Sequence, residues 1–313
     1  MANIAPVPFS GILADVKREI FALAAALAIG WNAPVQGFSE PVGQAAVAQP
    51  ASPAPTSLPE GEKGLQLLNQ GRYQEAVPQL HQAVKLAPDS WKYSLGLAEA
   101  LLSANYNFSG LRFIEEIYPR FHNLTEYHYT LGLADYLCFR YIQAIKEFQS
   151  ISRDDPKFHH ITFLIGNCYM AMGDLRQAET LFRRAIEQKP DEPSYYASLG
   201  KMLRMEGPER LDEATSVLKK AWDLNPHDAY VGLHLAYCHE GKGDYSEAQT
   251  VLEQVAQEQP DFQPAHLALA DVYEHSHEPD KARRQREIAA RLKPPPPIRH
   301  PGLGPVASNF ASN

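Results

Sequence analysis

The residues best placed for chemistry are His234 and Cys238, which lie four positions apart and would share one face of a helix. Two such side chains could bind a metal ion, but protein zinc sites use three or four ligands and the spacing fixes no third. Two further histidine pairs, at 159–160 and 275/277, have no ligand partner fixed by spacing either. We therefore expect packing or surface roles for these side chains, with no metal and no cofactor.

Composition and motifs give little support to catalysis. The chain lacks GxxxxGK[ST], GxGxxG, GxSxG and HExxH, the local scaffolds of phosphate binding, nucleophilic catalysis and zinc-dependent hydrolysis. Cys138, Cys168 and Cys238 form neither a CxxC pair nor an even-numbered disulfide set. The net charge of −8 argues against a nucleic-acid partner. We expect a protein that is not an enzyme, and a cryptic metal-dependent enzyme is the least favoured alternative.

The N-terminal segment resembles an export signal. Residues 20–29 (IFALAAALAI) are apolar and follow Lys17 and Arg18, and the run has the length of a secretory signal core. It is too short to span a bilayer, so we expect no stable transmembrane segment. We predict that residues 1–30 are a bacterial-type signal peptide and that the protein is periplasmic or secreted. The alternative is that 1–30 form an apolar N-terminal arm of a cytoplasmic protein.

Both flanks of the central region have the composition of disordered chain. Residues 31–56 are rich in Ala, Pro, Gln and Ser, and residues 295–313 are rich in Pro, Gly and Ser. Such segments cannot bury enough apolar surface to offset the entropy lost on ordering. We predict a disordered Ala/Pro-rich linker at 31–56 and a disordered Pro-rich tail at 295–313.

The central region, 57–294, repeats with a period of 34 residues. Alanines mark the register at Ala144, Ala178, Ala214 and Ala248, with separations of 34, 36 and 34, and Ala76 and Ala282 extend it in both directions. A small residue stands about twelve positions before most of these alanines, and a proline stands twelve positions after. Proline ends a helix because its ring clashes with the preceding turn, and a small residue lets two helices approach closely. The prolines are Pro88, Pro156, Pro190, Pro226, Pro260 and Pro294.

This period, with small residues and a closing proline at fixed positions, resembles the tetratricopeptide repeat (TPR) family. The resemblance implies an all-α, right-handed α-α superhelical solenoid of about seven helix pairs, starting near 57, 91, 125, 159, 193, 229 and 263. We expect Gly173-Asp174 and Gly243-Asp244 to end one helix and cap the next. Pro119 predicts an irregular second helix in repeat 2, and the polar helix at 280–293 predicts a solubilising end cap.

In TPR proteins the exposed face of each first helix lines a concave groove that holds a partner segment. Positions 2, 5, 9 and 12 of each repeat lie on this face, opposite the core stripe. Aromatic anchors beside a few directional polar groups are typical of a protein-binding surface. The residues that we predict to line the groove are Tyr129, Tyr136, Phe163, Asn167, Met170, Lys201, Arg204, Tyr230, His234, Tyr237 and Asp271.

Two alternatives remain for these residues. The aromatic side chains could instead be buried against the first helix of the neighbouring repeat, and Lys201 and Arg204 could be solvated surface cations. TPR domains that grip a C-terminal carboxylate use a fixed set of Lys, Asn and Arg. Only Asn167 matches that set in repeats 4 to 6, so this binding mode is not predicted.

The sequence therefore predicts a non-catalytic adaptor or scaffold that binds an extended segment of another protein in the concave TPR groove. The rival hypothesis is a structural scaffold that associates with copies of itself, in which case the exposed stripe would form contacts between identical chains. The sequence identifies no particular partner.

Overall fold

The computed structural model describes residues 58–151 and 160–293. The predicted segments 1–30, 31–56 and 295–313 lie outside the described residues, as do residues 152–159 at the end of repeat 3 and the start of repeat 4. Fifteen α-helices and one short 3-10 helix follow one another in the described part of the chain, and it contains no strand. None of the described helices combines the length and the apolar character needed to cross a membrane.

The helices form seven antiparallel pairs, and each pair packs on the next. In chain order the helices are α1 (Pro59–Asn69), α2 (Tyr73–Leu86), α3 (Trp91–Ser103), α4 (Asn107–Glu116), α5 (Tyr118–Phe121), α6 (Thr125–Leu137), α7 (Tyr141–Ser150), α8 (Ile161–Ala171), α9 (Leu175–Gln188), α10 (Pro193–Glu206), α11 (Leu211–Leu224), α12 (Ala229–Lys242), α13 (Tyr245–Glu258), α14 (Gln263–His275) and α15 (Pro279–Arg291). The first helices of neighbouring pairs also touch, as α8 touches α10 and α10 touches α12. The expected all-α solenoid of seven helix pairs is confirmed.

The small residue in each first helix marks the closest approach within a pair. A Cβ atom added to Gly132 would lie 2.6 Å from Cε1 of Phe148, and one added to Gly200 would lie 2.5 Å from Cγ of Leu218. These distances are far below van der Waals contact, so a larger residue would push the two helices apart. The prediction that a small residue is required at this position is confirmed.

The ends of the helices follow the predicted stop signals with one exception. Gly173 and Gly243 have positive φ angles of 83° and 81°, and they reverse the chain between two helices. The Asp174 carboxylate accepts a hydrogen bond from the backbone N–H of Gln177 at 3.1 Å and so caps α9. Asp244 was expected to cap α13 in the same way, but it makes no cap hydrogen bond there. Its carboxylate lies 3.5 Å from Lys242 Nζ instead.

The two irregular repeats have distinct causes. In the second pair the helical path breaks between α4 and the four-residue α5, where Pro119 occupies one of the first positions of α5. In the fifth pair the two extra residues are taken up after Gly207 by the 3-10 helix Pro208–Arg210. The expected irregular second helix of repeat 2 is present.

Candidate functional site

The surface under consideration is formed by the first helices of the last four pairs. We call it the first-helix face and define it by residues on α8, α10, α12 and α14. Its members are Met170, Lys201, Arg204, Met205, Tyr230, His234, Tyr237, Leu267 and Asp271.

Four of the predicted groove residues do not belong to this surface, because the fold buries them. Tyr129 and Phe163 are each 1 % exposed, and Tyr136 and Asn167 are also buried. The Phe163 ring lies 4.7 Å from the Tyr195 ring of the next first helix, centroid to centroid. The expectation that these four side chains present an accessible surface is therefore wrong, because neighbouring helices cover them.

Hydrogen bonding and ring packing account for the buried tyrosines. The Tyr129 hydroxyl lies 2.9 Å from Nε2 of His160, and burial raises the pKa of this phenol above its ordinary value. The Tyr136 ring packs against Tyr141 of the same pair at 5.6 Å. The Tyr129 contact connects the third pair to the fourth, the Tyr136 contact joins the two helices of the third pair, and both give the tyrosines a structural role.

The later first helices present a more open surface that carries positive charge. Lys201 and Arg204 project from α10, and His234 and Tyr237 project from α12, all of them half-buried. The guanidinium carbon of Arg204 lies 5.4 Å from the centroid of the Tyr237 ring, which is a cation–π contact. Tyr230 is half-buried beside them and packs edge-on against Phe262 with ring centroids 4.9 Å apart.

His234 lies beside these two cations. Its ring centroid is 6.5 Å from that of Tyr237, and its Nδ1 atom is buried with no hydrogen-bond partner. Burial holds the pKa of His234 well below its ordinary value, and the charges of Arg204 and Lys201 lower it further. The imidazole is therefore neutral at pH 7, and the positive charge of this region resides on Lys201 and Arg204.

At the C-terminal end the polar groups are paired within the chain. The Arg286 guanidinium of α15 contacts Asp271 at 3.1 Å and also contacts Glu274. Both carboxylates belong to α14, so Arg286 joins the two helices of the last described pair through an ion-pair network. This arrangement agrees with a solubilising cap. It also means that the Asp271 carboxylate already has a cationic partner.

Two members of the first-helix face were not singled out from the sequence. Met205 is 42 % exposed and Leu267 is 45 % exposed. Leu267 occupies the same repeat position as Phe163, so its place in the repeat already assigns it to the predicted groove. It is not among the predicted groove residues because the apolar side chains chosen there were mainly aromatic. Met205 lies one residue beyond the positions assigned to the groove.

The side chains of this surface offer hydrogen bonds, positive charge and apolar contact. Within residues 58–151 and 160–293, no group of three His, Cys, Asp or Glu side chains is close enough together to hold a metal ion. His234 and Cys238 remain a pair without a third ligand. Burial raises the pKa of Cys238 to about 11 and that of Cys168 to about 12, which suppresses the nucleophilic thiolate in both.

The fold and this surface together define a helical-repeat solenoid, the class of protein that uses stacked helix pairs to build extended interaction surfaces. Tetratricopeptide repeat family models match residues 62–105, 139–202, 207–261 and 240–287, which together cover more than half of the chain. The chain therefore belongs to the tetratricopeptide repeat family, and its fold is that of a protein-interaction scaffold.

Comparisons with known proteins found further similarities, of which the first below supports the fold. A chain of the APC/C hetero-tetramer Cut9–Hcn1 superimposes with a TM-score of 0.61 at 15% identity, over 82% of this chain and 49% of that one. MamA gives a TM-score of 0.47 at 20% identity, over 51% of this chain and 92% of that one. Human protein O-mannosyl-transferase TMTC1 is 26% identical over 140 residues, which cover 44% of this chain and only 16% of TMTC1.

Proposed function

We propose that this protein is a non-catalytic adaptor that binds an extended segment of a protein partner along the first-helix face. The observation that carries the proposal is the contrast between the third and fourth pairs and the fifth to seventh pairs. The predicted groove side chains on α6 and most of those on α8 are buried, whereas α10, α12 and α14 carry open, chemically mixed side chains. Mixed apolar, aromatic and cationic groups on one continuous face are typical of protein recognition.

The surface offers both kinds of contact that an extended segment needs. Met205 and Leu267 supply exposed apolar area, and Tyr237 supplies an aromatic ring whose polar edge can reach a partner. Lys201 and Arg204 supply charge and directional hydrogen bonds. An interface of this modest, mixed character has micromolar affinity, about −8 kcal/mol.

Site-specific crosslinking tests whether the partner segment binds along the first-helix face. Peptides that bind the full chain are first selected from a displayed library of random twelve-residue sequences. A photoreactive amino acid is then placed at Met205 or Leu267, and in matched controls at Lys219 or Thr250, which are exposed on the second helices α11 and α13. We expect the selected peptides to crosslink from the first pair of positions and not from the second. Crosslinking only from the second helices would contradict the proposal.

Self-association is the second candidate, and an exposed apolar patch favours it. Phe108 is 74 % exposed and Ile142 is 57 % exposed, with Tyr106 and Phe139 about half exposed. Asn107 Nδ2 donates to the Leu137 carbonyl at 3.5 Å, so the turns carrying these residues adjoin. If this patch joins two copies, the mass measured by light scattering rises with concentration, and Phe108→Ser abolishes the rise. A constant monomer mass would exclude this role.

The leader remains a separate proposal. We infer export from the composition of residues 1–30, which lie outside the described residues. Intact-mass measurement on protein from the native host tests this directly. A chain that begins near Trp31 or Phe38 supports export, and a chain that retains residues 2–30 contradicts it.

A further inference from the structure

The strongest unexplained feature of the first-helix face is a pair of buried nitrogen atoms that lack partners. His234 Nδ1 and Arg204 Nε are both buried, and neither makes a hydrogen bond in the structure. A buried polar atom without a partner costs free energy, so such atoms in a native fold call for an explanation. Here the two atoms belong to neighbouring first helices, α10 and α12, which touch each other.

The charges around these atoms are not balanced within the described chain. Within residues 58–151 and 160–293, no carboxylate forms an ion pair with Lys201 or Arg204. The nearest acidic residue on α10, Glu206, is bound to Arg210 at 2.8 Å, and Asp271 of α14 is bound to Arg286. Neither cation is therefore neutralised by a direct ion pair within the described residues, in a chain whose overall charge is −8.

The geometry of Arg204 favours one kind of ligand. The guanidinium carbon of Arg204 lies 5.4 Å from the centroid of the Tyr237 ring, and because Nε is buried, the two terminal nitrogens are the atoms that a ligand can contact. The terminal N–H groups of a planar guanidinium can bind a carboxylate with two parallel hydrogen bonds. The neutral His234 imidazole can supply another donor without adding charge, and Lys201 can contact the same group as a mobile cation.

We propose that Lys201, Arg204, His234 and Tyr237 form a pocket for an Asp or Glu side chain of the bound partner segment. This inference rests on the proposed function, because it assigns the chemistry of one point in the same interface. The pocket sets the register of the segment, since a carboxylate can be satisfied at only one place along the described first-helix face. It differs from a clamp for a chain terminus because the ligand is a side chain within the segment.

The library selection described above also tests this inference. The peptides are displayed with their C-termini fused, so that only side-chain carboxylates are available. We expect the wild-type protein to enrich an acidic residue at one position of the peptide, together with apolar residues at others. The double variant K201Q/R204Q should lose the acidic preference and keep the apolar preferences. The control K219Q/K220Q, which removes two exposed cations from α11, should behave as the wild type does.

Synthetic peptides measure how much the acidic residue contributes to the binding affinity. Replacing the enriched Glu with Gln should weaken binding to the wild type by about tenfold, because a charge-assisted hydrogen bond is lost. The same replacement should have little effect on binding to K201Q/R204Q. The variant R204K should lose part of the discrimination, since lysine keeps the charge but not the two parallel hydrogen bonds.

The outcomes separate the two proposals. Enrichment of apolar residues without an acidic position would overturn the carboxylate pocket and leave the adaptor function intact. Failure to select any peptide would count against the adaptor function itself. An acidic preference that persists in K201Q/R204Q would place the carboxylate elsewhere and overturn the pocket. A phosphoserine peptide that binds more tightly than the Glu peptide would overturn the assignment to a carboxylate in favour of phosphate.

Discussion

The third and fourth helix pairs and the fifth to seventh pairs use the same face of their first helices for different purposes. On α6 and α8, Tyr129 and Phe163 fill the space between neighbouring helices and are almost completely buried. On α10 and α12, Lys201, Arg204 and Tyr237 remain accessible. We call these regions the packed half and the open half. A place on this helix face therefore does not by itself make a side chain accessible, because the residues packed around it decide whether it reaches solvent.

The largest effect that we expect is a loss of stability on substitution of Phe163 in the packed half. Phe163 contacts the rings of Phe182 at 5.7 Å and Tyr195 at 4.7 Å, so Phe163→Ala leaves a cavity. We expect a loss of about 3–5 kcal/mol in the free energy of unfolding. Urea unfolding followed by circular dichroism measures the loss, and hydrogen exchange in α8 and α10 locates it. A loss below about 1 kcal/mol would mean that Phe163 does not hold these pairs together.

A second effect in the packed half depends on pH. The side chain of Asp135 is almost wholly buried, and burial raises its pKa to about 6 although Arg140 Nε lies only 2.9 Å away. The folded state therefore holds the proton more tightly than the unfolded chain does. Asp135 destabilises the fold progressively as pH rises from its unfolded pKa near 4 through the folded value.

The variant Asp135→Asn removes this dependence. The free energy of unfolding of the variant minus that of the wild type should increase by about 2–3 kcal/mol between pH 4 and pH 7.5. The reason is that only the wild type is destabilised when the buried carboxyl group of Asp135 ionises. Thermal unfolding at several pH values measures the difference. A difference between the two proteins that stays constant with pH would show that Asp135 is not desolvated as described.

The fold was more predictable than the site. Period, small residues and prolines follow from helix sterics within one repeat, so the seven pairs and the break near Pro119 could be anticipated. Burial of Phe163 depends on Tyr195, which lies 32 positions away in the next repeat. The pairing of Asp271 with Arg286 likewise depends on the packing of α15 against α14, which brings together two residues that are 15 positions apart. The burial and the ion pairing of these side chains depend on residues of other helices that lie close in space. The periodicity of the sequence does not specify those residues.

A smaller effect lies at the turn between α6 and α7. Phe139 has a φ of 63°, a left-handed conformation that Gly173 and Gly243 adopt at the corresponding turns. Phe139→Gly relieves the steric cost and should stabilise the protein by up to about 1 kcal/mol, partly offset by the greater freedom of glycine when unfolded. The matched control, Gly173→Ala, should destabilise by about 1 kcal/mol. Loss of stability in Phe139→Gly would mean that the Phe139 side chain holds the turn.

The smallest effect on stability belongs to the open half. Tyr237→Ala removes a half-exposed ring and its contact with Arg204, so we expect a loss of about 0.5–1 kcal/mol. The contrast with Phe163→Ala, measured under identical conditions, is the test. A loss as large as that of Phe163→Ala would place Tyr237 in the core and remove the distinction between the two halves.

The most direct test of the account measures the affinity of one selected peptide for two charge-reversed proteins. Lys201→Glu with Arg204→Glu alters the open half, and Lys219→Glu with Lys220→Glu makes the same charge change on the second helix of the same pair. The account predicts at least about a tenfold loss of affinity for the first protein and less than about a twofold loss for the second, with both remaining folded. Equal affinities for the two proteins would contradict a binding role for the open half.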